Sequence, residues 1–160
     1  IWKTGGKEYS YPELMAMATE AKAFTGRINP DDPRFAAPDN MVEEIVCQIG
    51  KDVTDAQIVS CIYHSLADRY KAVIDMLQGF APFKIEKLHI IGGGSANSLM
   101  NQWTADATGL PVVAGPAEAT AIGNVMIQAK AAGLVKDRWE MRRIIADAFE
   151  VKTFTPSPQL

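Results

Sequence analysis

Cysteine and histidine are scarce in this chain, two of each in 160 residues. So few cysteines make no disulfide framework, and without a CxxC pair they point to no metal site. Cys47 and Cys61 fall on neighbouring expected helices, so a cross-link is geometrically open, but free buried thiols suit a reducing cytoplasm better. No apolar run is long enough to cross a bilayer, and no signal peptide opens the chain. Positive charge is not in excess: the net charge is −3, and no arginine–aromatic interleaving points to nucleic acid. No internal repeat is visible. What remains is 48% hydrophobic and 22% charged, the balance of a soluble globular protein, in a length that supports one domain with a real core. The first residues, Ile1-Trp2, are not a start methionine, and the chain reads as a piece of something longer.

The N-terminal half is helical by pattern. Ser10-Tyr11-Pro12-Glu13 sets a Ser cap, a proline in the first turn and a Glu three residues on, predicting a helix to Gly26 with Leu14, Met17, Ala18, Ala21 and Phe24 inward. Met15 and Met17 read as core filler more readily than as a soft binding surface. Residues 27–38 hold three prolines and predict an ordered loop, with Asp31-Asp32 more suited to turn chemistry than to a metal or acid–base site. Met41, Val42, Ile45, Val46 and Ile49 mark a short helix stopped by Gly50. Thr54-x-x-Gln57 then opens the longest helix, Asp55 to Gln78, with a stripe of Val59, Ile62, Tyr63, Leu66, Tyr70, Val73 and Leu77. His64 lies one position off that stripe, as a boundary or surface residue.

The most informative stretch runs from Lys87 to Asp106, KLHIIGGGSANSLMNQWTAD. Leu88, Ile90 and Ile91 suit a fully buried parallel strand. Gly92-Gly93-Gly94 lets a backbone or ligand approach, and a helix follows with Ala96, Leu99, Met100, Trp103 and Ala107 on one face, closed by Gly109. A strand, a glycine turn and a helix N-terminus gather free N–H groups and a positive dipole end, the recipe for an anionic or nucleotide group. The dinucleotide fingerprint is only partly met: Gly92 and Gly94 fit, but Asn97 replaces its third glycine. The P-loop pattern fails, since no Lys-Ser/Thr pair follows. Two readings of Asn97 stay open, a ligand contact through its amide and a helix cap.

A second unit follows. Leu110 to Ala114 predicts a short strand, Gly115-Pro116 breaks it, and Ala117 to Ala132 predicts a helix. Ala117, Ala119, Ala121 and Gly123 make its first half small, so another backbone must come close, in either a static or a sliding contact. Glu118 fits a dipole partner better than a ribose ligand. A last helix, Glu140 to Phe149, turns Met141, Ile144, Ile145 and Ala148 inward, with Arg142 and Arg143 on a solvated face. The tail from Thr153 to Leu160 ends the chain.

GGGSANSLMNQWTAD followed by GLPVVAGPAEATAIGNVMIQA resembles the adenosine and second connecting motifs of the FGGY-type carbohydrate kinases, members of the actin/sugar-kinase ATPase superfamily. The resemblance covers essentially all 160 residues, and the NPDDPRF stretch (Asn29 to Phe35) and the FTPSP tail narrow it to one branch of that family. It implies an α/β fold: a helix-rich part of a C-terminal, ribonuclease-H-like nucleotide-binding domain spanning residues 1–160, with two β-α units retained. It further implies ATP with Mg2+ as cofactor. Gly93 would be a backbone contact to the nucleotide, Gly92 and Gly94 would shape the turn, and Asn97 would touch adenine or ribose. Ala119, Ala121 and Gly123 would lie in a connecting helix at the interdomain hinge. The sugar would bind through a domain N-terminal to this segment. The catalytic Asp and the phosphate-contacting loops would also lie there, so no catalytic residue is assigned to this chain. The implied partners are a nucleotide and a sugar, with neither nucleic acid nor membrane, in the cytoplasm. A non-catalytic actin-like module and a Rossmann oxidoreductase are the contrasting classes, the second disfavoured by Asn97.

Overall fold

A computed structural model describes residues 7–158. The chain divides into two compact units, one ending at Phe83 and one beginning at Lys84. Ile1 and Trp2 lie outside the described residues, as does the end of the tail. The architecture is mixed α/β and rich in helix, as the sequence predicts.

The first unit is three helices: α1 (Tyr11–Glu20), α2 (Met41–Ile49) and α3 (Asp55–Phe80). Each begins where a side chain satisfies the orphan amides of its first turn. Ser10 and Glu13 form a reciprocal capping box, and so do Thr54 and Gln57. Asn40 Oδ1 accepts from the Val42 and Glu43 amides. α1 stops at Glu20, short of the predicted Gly26. There the Lys22 and Phe24 amides turn to i−3 carbonyls, and the Arg27 guanidinium takes the Phe24 and Gly26 carbonyls.

The loop between α1 and α2 is ordered. Asp32 caps a 3-10 turn, Pro33–Phe35, Asp31 pairs with Arg69 on α3 at 2.6 Å, and Arg27 pairs with Asp68 at 2.9 Å. Both aspartates are therefore engaged in local structure. Buried Ser65 donates to Cys61 O and accepts from the Ile28 amide, so the loop's start is fixed to α3 as well.

The long stripe of α3 is covered only in part. Ile58, Val59, Cys61 and Ala67 are buried, yet Leu77 is 50% and Phe80 83% exposed. Length explains this: at 1.5 Å per residue α3 runs about 39 Å, while α1 and α2 reach only about 15 Å each. Cys47 and Cys61 are unpaired, as expected, but only Cys61 is buried; Cys47 is exposed on α2.

The second unit is built on a three-stranded sheet, β1 (Leu88–Ile90), β2 (Val112–Ala114) and β3 (Lys152–Phe154), in that order. β1 and β2 are parallel, with Leu88 opposite Val112 and Ile90 opposite Ala114. β3, which the sequence reading does not anticipate, runs antiparallel to β2 with Phe154 opposite Val112. Between and after the first two strands come α4 (Ser98–Thr108), α5 (Ala119–Ala131) and α6 (Arg138–Ala148). α4 packs on the sheet, and Gly109 closes it in the left-handed conformation.

β2, between two strands, buries Val112 and Ala114. β1 does not match the fully buried strand that its apolar run predicts. It is an edge strand here, with Leu88 and Ile90 half-buried and Ile91 59% exposed. Nor is the buried arc of α4 the purely apolar stripe expected: Ala96 is exposed, and Asn101 and Thr104 are fully buried beside Met100, Trp103 and Ala105. In α6 no residue is fully buried; Arg142 and Arg138 lie over the Trp139 ring at 5.1 and 4.8 Å, on the solvated side.

Candidate nucleotide site

The glycine run after β1 forms a 3-10 turn, Gly92–Ala96, that leads straight into α4. Its three glycines are not equivalent. Gly92 sits at φ 73°, where an L side chain is strained, so the backbone itself requires it. A Cβ on Gly94 would meet Ile90 Cγ2 at 3.5 Å, ordinary contact distance. Gly93 has neither constraint. Its φ is not positive, and a Cβ there would meet nothing within 4 Å. Within this chain Gly93 has no conformational or packing reason to be glycine, and it faces open space.

Hydrogen bonds tie this turn to the one after β2. The Gly92 amide donates to Pro116 O at 3.1 Å, and the Gly115 amide donates to Ile90 O at 2.8 Å. The turns leaving two parallel strands are thereby held side by side at the strands' carboxyl ends, the place where open α/β sheets take their ligands. In a 3-10 helix the i→i+3 ladder leaves the first two amides without helical partners. Gly92 gives its amide to Pro116, and Gly93 is the second of these positions.

Asn97 settles half of its open question. Its Oδ1 accepts from the Met100 amide at 3.0 Å, so it is the N-cap of α4. A cap occupies the side-chain oxygen and is compatible with a ligand contact made elsewhere on the residue.

Two residues to which the sequence reading assigns no role in the site, Gln102 and Asp106, hold the surroundings in place. Gln102 Nε2 donates to Thr155 O and to Asp106 Oδ1, each at 2.9 Å, and Asp106 Oδ1 accepts from the Ser157 amide at 2.8 Å. The tail after β3 is thus clamped to α4, and the i, i+4 spacing of Gln102 and Asp106 was the available signal. Asp106 has this structural task.

α5 presents the opposite picture to the glycine turn. No described residue of this chain makes the close approach at Gly123, where a Cβ would meet nothing within 4 Å. Ala121 is exposed, and Ala119, Ile122 and Gly123 line one side of a cleft of about 730 Å3 with Val113 and Ile145. The side chain of Glu118, at the start of α5, makes no capping bond. Among the described residues no group of three or more His, Cys, Asp or Glu side chains converges. Nor is any helix of the described residues long and apolar enough to cross a membrane.

Residues 2–132, which take in both β-α units, match the C-terminal domain of the FGGY family of carbohydrate kinases. The chain belongs to that family. The FGGY match ends before α6 and β3. The chain is 49% identical to a rhamnulokinase of Bacteroides thetaiotaomicron over 92% of its length, and 41% and 42% identical to those of Bacillus subtilis and Ligilactobacillus salivarius over 93%. It spans about a third of these relatives, 31 to 32% of their own length. Its fold is similar to that of the crystal structure of xylulose kinase from Rhodospirillum rubrum, with a TM-score of 0.58 at 17% identity, covering 92% of this chain and 30% of that one.

Proposed function

We propose that this FGGY segment, residues 1–160 as one partial domain, is the C-terminal nucleotide-binding part of a two-domain, ATP-dependent sugar kinase acting on L-rhamnulose. The full enzyme transfers the γ-phosphoryl of ATP to the primary hydroxyl of the ketose, giving L-rhamnulose 1-phosphate and ADP. The observation that carries this reading is the glycine turn, tied to the turn after β2 at the carboxyl ends of two parallel strands, with open space at Gly93. Gly92 and Gly94 shape the turn, and Asn97 contacts the adenosine from the start of α4. The likeness to rhamnulokinases, together with the Asn29 to Phe35 stretch, supports the choice of sugar.

Phosphoryl transfer needs positioning and charge neutralisation more than covalent chemistry. This chain's share is to hold the nucleotide and to present α5 to the neighbouring domain, so that closure excludes water. Mg2+, when bound with ATP, would neutralise phosphate charge. The base that takes the hydroxyl proton and the sugar pocket belong to the domain N-terminal to this segment, in a cytoplasmic enzyme.

Two experiments test this. In a titration of the full-length protein, adenine nucleotides bind without preference for a nicotinamide; binding of neither would leave a non-catalytic module. Assayed with ATP against rhamnulose, fuculose, xylulose, ribulose and glycerol, the protein prefers rhamnulose. A preference for xylulose or fuculose would move it to another FGGY branch and leave the family standing. The 160-residue chain by itself turns over no sugar, and turnover by the pure chain would refute the division of labour.

A further inference from the structure

α4 buries an asparagine that a helix–sheet core would more cheaply replace with an apolar residue. Asn101 is fully buried, and its Oδ1 has no hydrogen-bond partner among the described residues. An unmatched buried carbonyl costs stability. What Asn101 does make is one bond: Nδ2 donates to Ser95 O at 3.0 Å, six residues back in the glycine turn. That bond completes a set. Gly92 O accepts from Ser95 Oγ at 2.7 Å, and Gly94 O accepts from the Asn97 amide at 3.2 Å. Those three carbonyls are engaged inside the turn and are not presented to an incoming anion.

We propose that Asn101 is a positioning residue for the nucleotide. By holding Ser95 O it fixes the far end of the turn, and with it the direction of the Gly93 amide. The proposal rests on the nucleotide reading above. Asn101 does not touch ATP; it acts through the backbone of residues 92–95.

The test uses the full-length protein and measures ATP dissociation constants by calorimetry, without sugar, from mildly acidic to mildly alkaline pH. Asn101→Asp keeps the shape and replaces the donor with a group that donates only when protonated, and burial raises its pKa. At alkaline pH the ionised carboxylate faces Ser95 O, and ATP binds roughly tenfold more weakly than to the unmodified protein. At acidic pH the protonated carboxyl donates to Ser95 O, and the ratio to the unmodified protein falls to within about threefold. Asn101→Leu cannot donate at any pH, so its ratio stays raised and flat, and the sugar KM is unchanged in both variants. If Asn101→Asp does not fold, Asn101→Leu carries the test on its own.

A folded Asn101→Leu that binds ATP as the unmodified protein does would overturn the proposal, and so would a pH-independent ratio for Asn101→Asp. Gly93→Val, measured alongside, separates two failures. If Gly93→Val weakens ATP while both Asn101 variants bind normally, only the positioning role falls. If Gly93→Val leaves ATP binding unchanged, the nucleotide site itself is misplaced, and the role of Asn101 falls with it.

Discussion

The β1–α4 and β2–α5 units share one plan, a three-residue strand, a glycine turn and a helix, and differ in what their small residues touch. In the first, Gly92 is fixed by its own backbone and the carbonyls around it by hydrogen bonds inside the chain. In the second, Gly123 stands mid-helix with no neighbour near its missing Cβ. A glycine inside a helix costs about 0.5–1 kcal/mol relative to alanine, and nothing in this chain offsets that at Gly123. The same holds at Gly93, which no φ and no packing contact requires. The difference separates Gly92, fixed by its own backbone, from Gly93 and Gly123, which no described contact requires to be glycine.

The largest expected effect breaks the comparison at its sharpest point, Gly92 against Gly93. Gly93→Val should leave the melting temperature of the full-length protein nearly unchanged and raise the ATP dissociation constant at least about tenfold, roughly 1.4 kcal/mol. Gly92→Ala should do the reverse first, lowering stability by about 1–2 kcal/mol through left-handed strain. Calorimetry and thermal melts on the two variants check both. Equal losses of stability would mean the turn is packing alone.

Next in size is Gly123→Leu. Leucine is a better helix former than glycine by nearly 1 kcal/mol, and no atom of this chain opposes it, so α5 itself should not suffer. Propping apart a close contact with another domain costs about 1–3 kcal/mol, so closure should be impaired. Small-angle scattering of the full-length variant with ATP and sugar should show less compaction than the unmodified enzyme. Full compaction with reduced stability would place Gly123 in ordinary packing.

These contrasts also show what was legible in the sequence. The starts of α1 and α3 were, because a capping box is written in four consecutive residues, Ser10 to Glu13 and Thr54 to Gln57. The glycine turn and the Gly109 stop were legible for the same local reason. The burial of β1 was not, since it depends on how many strands flank it, and among the described residues only β2 does. The exposed second half of α3 was equally hidden, because periodicity shows which face is apolar and not how far its cover extends. β3 carries no apolar alternation, and Asn101 looks like any surface amide until its bond to Ser95 O is seen. At Asn97 both readings were visible, and the structure supplies the cap without removing the other.

Asn97 therefore needs variants that separate those roles. Asn97→Ala loses the cap to the Met100 amide, about 1 kcal/mol of stability, and any adenosine contact besides. Asn97→Asp keeps a capping oxygen and removes the amide donor. If Asn97 binds nucleotide, Asn97→Asp should keep the cap and still bind ATP roughly three- to tenfold more weakly, the value of one neutral hydrogen bond. If it only caps, Asn97→Asp should bind ATP as the unmodified protein does.

The smallest expected effect lies in the first unit, far along the chain from the glycines, and it tests whether that unit's stability responds to pH where the nucleotide turn has no titrating group of its own. His64 on α3 sits against the loop after α1, with Nε2 3.2 Å from Lys22 O. Burial, and then the Arg27 guanidinium, hold its pKa below the ordinary 6.5, against the weaker pull of the Lys22 carbonyl and Asp68. In the unfolded chain the imidazole takes up a proton near its ordinary pKa; in the folded chain it does so only at lower pH. Between those two values the unfolded state binds more protons, so stability rises with pH and is lost as pH falls below 6.5. Denaturant melts of the chain across that window should show this slope, and His64→Gln, which keeps a donor for Lys22 O without titrating, should flatten it. An unchanged slope in His64→Gln would assign the acid sensitivity in that window to other groups; Glu13 and Asp137, whose pKa values hydrogen bonds from Ser10 and from the Glu140 amide hold down, contribute only below their ordinary values of 4.5 and 3.8.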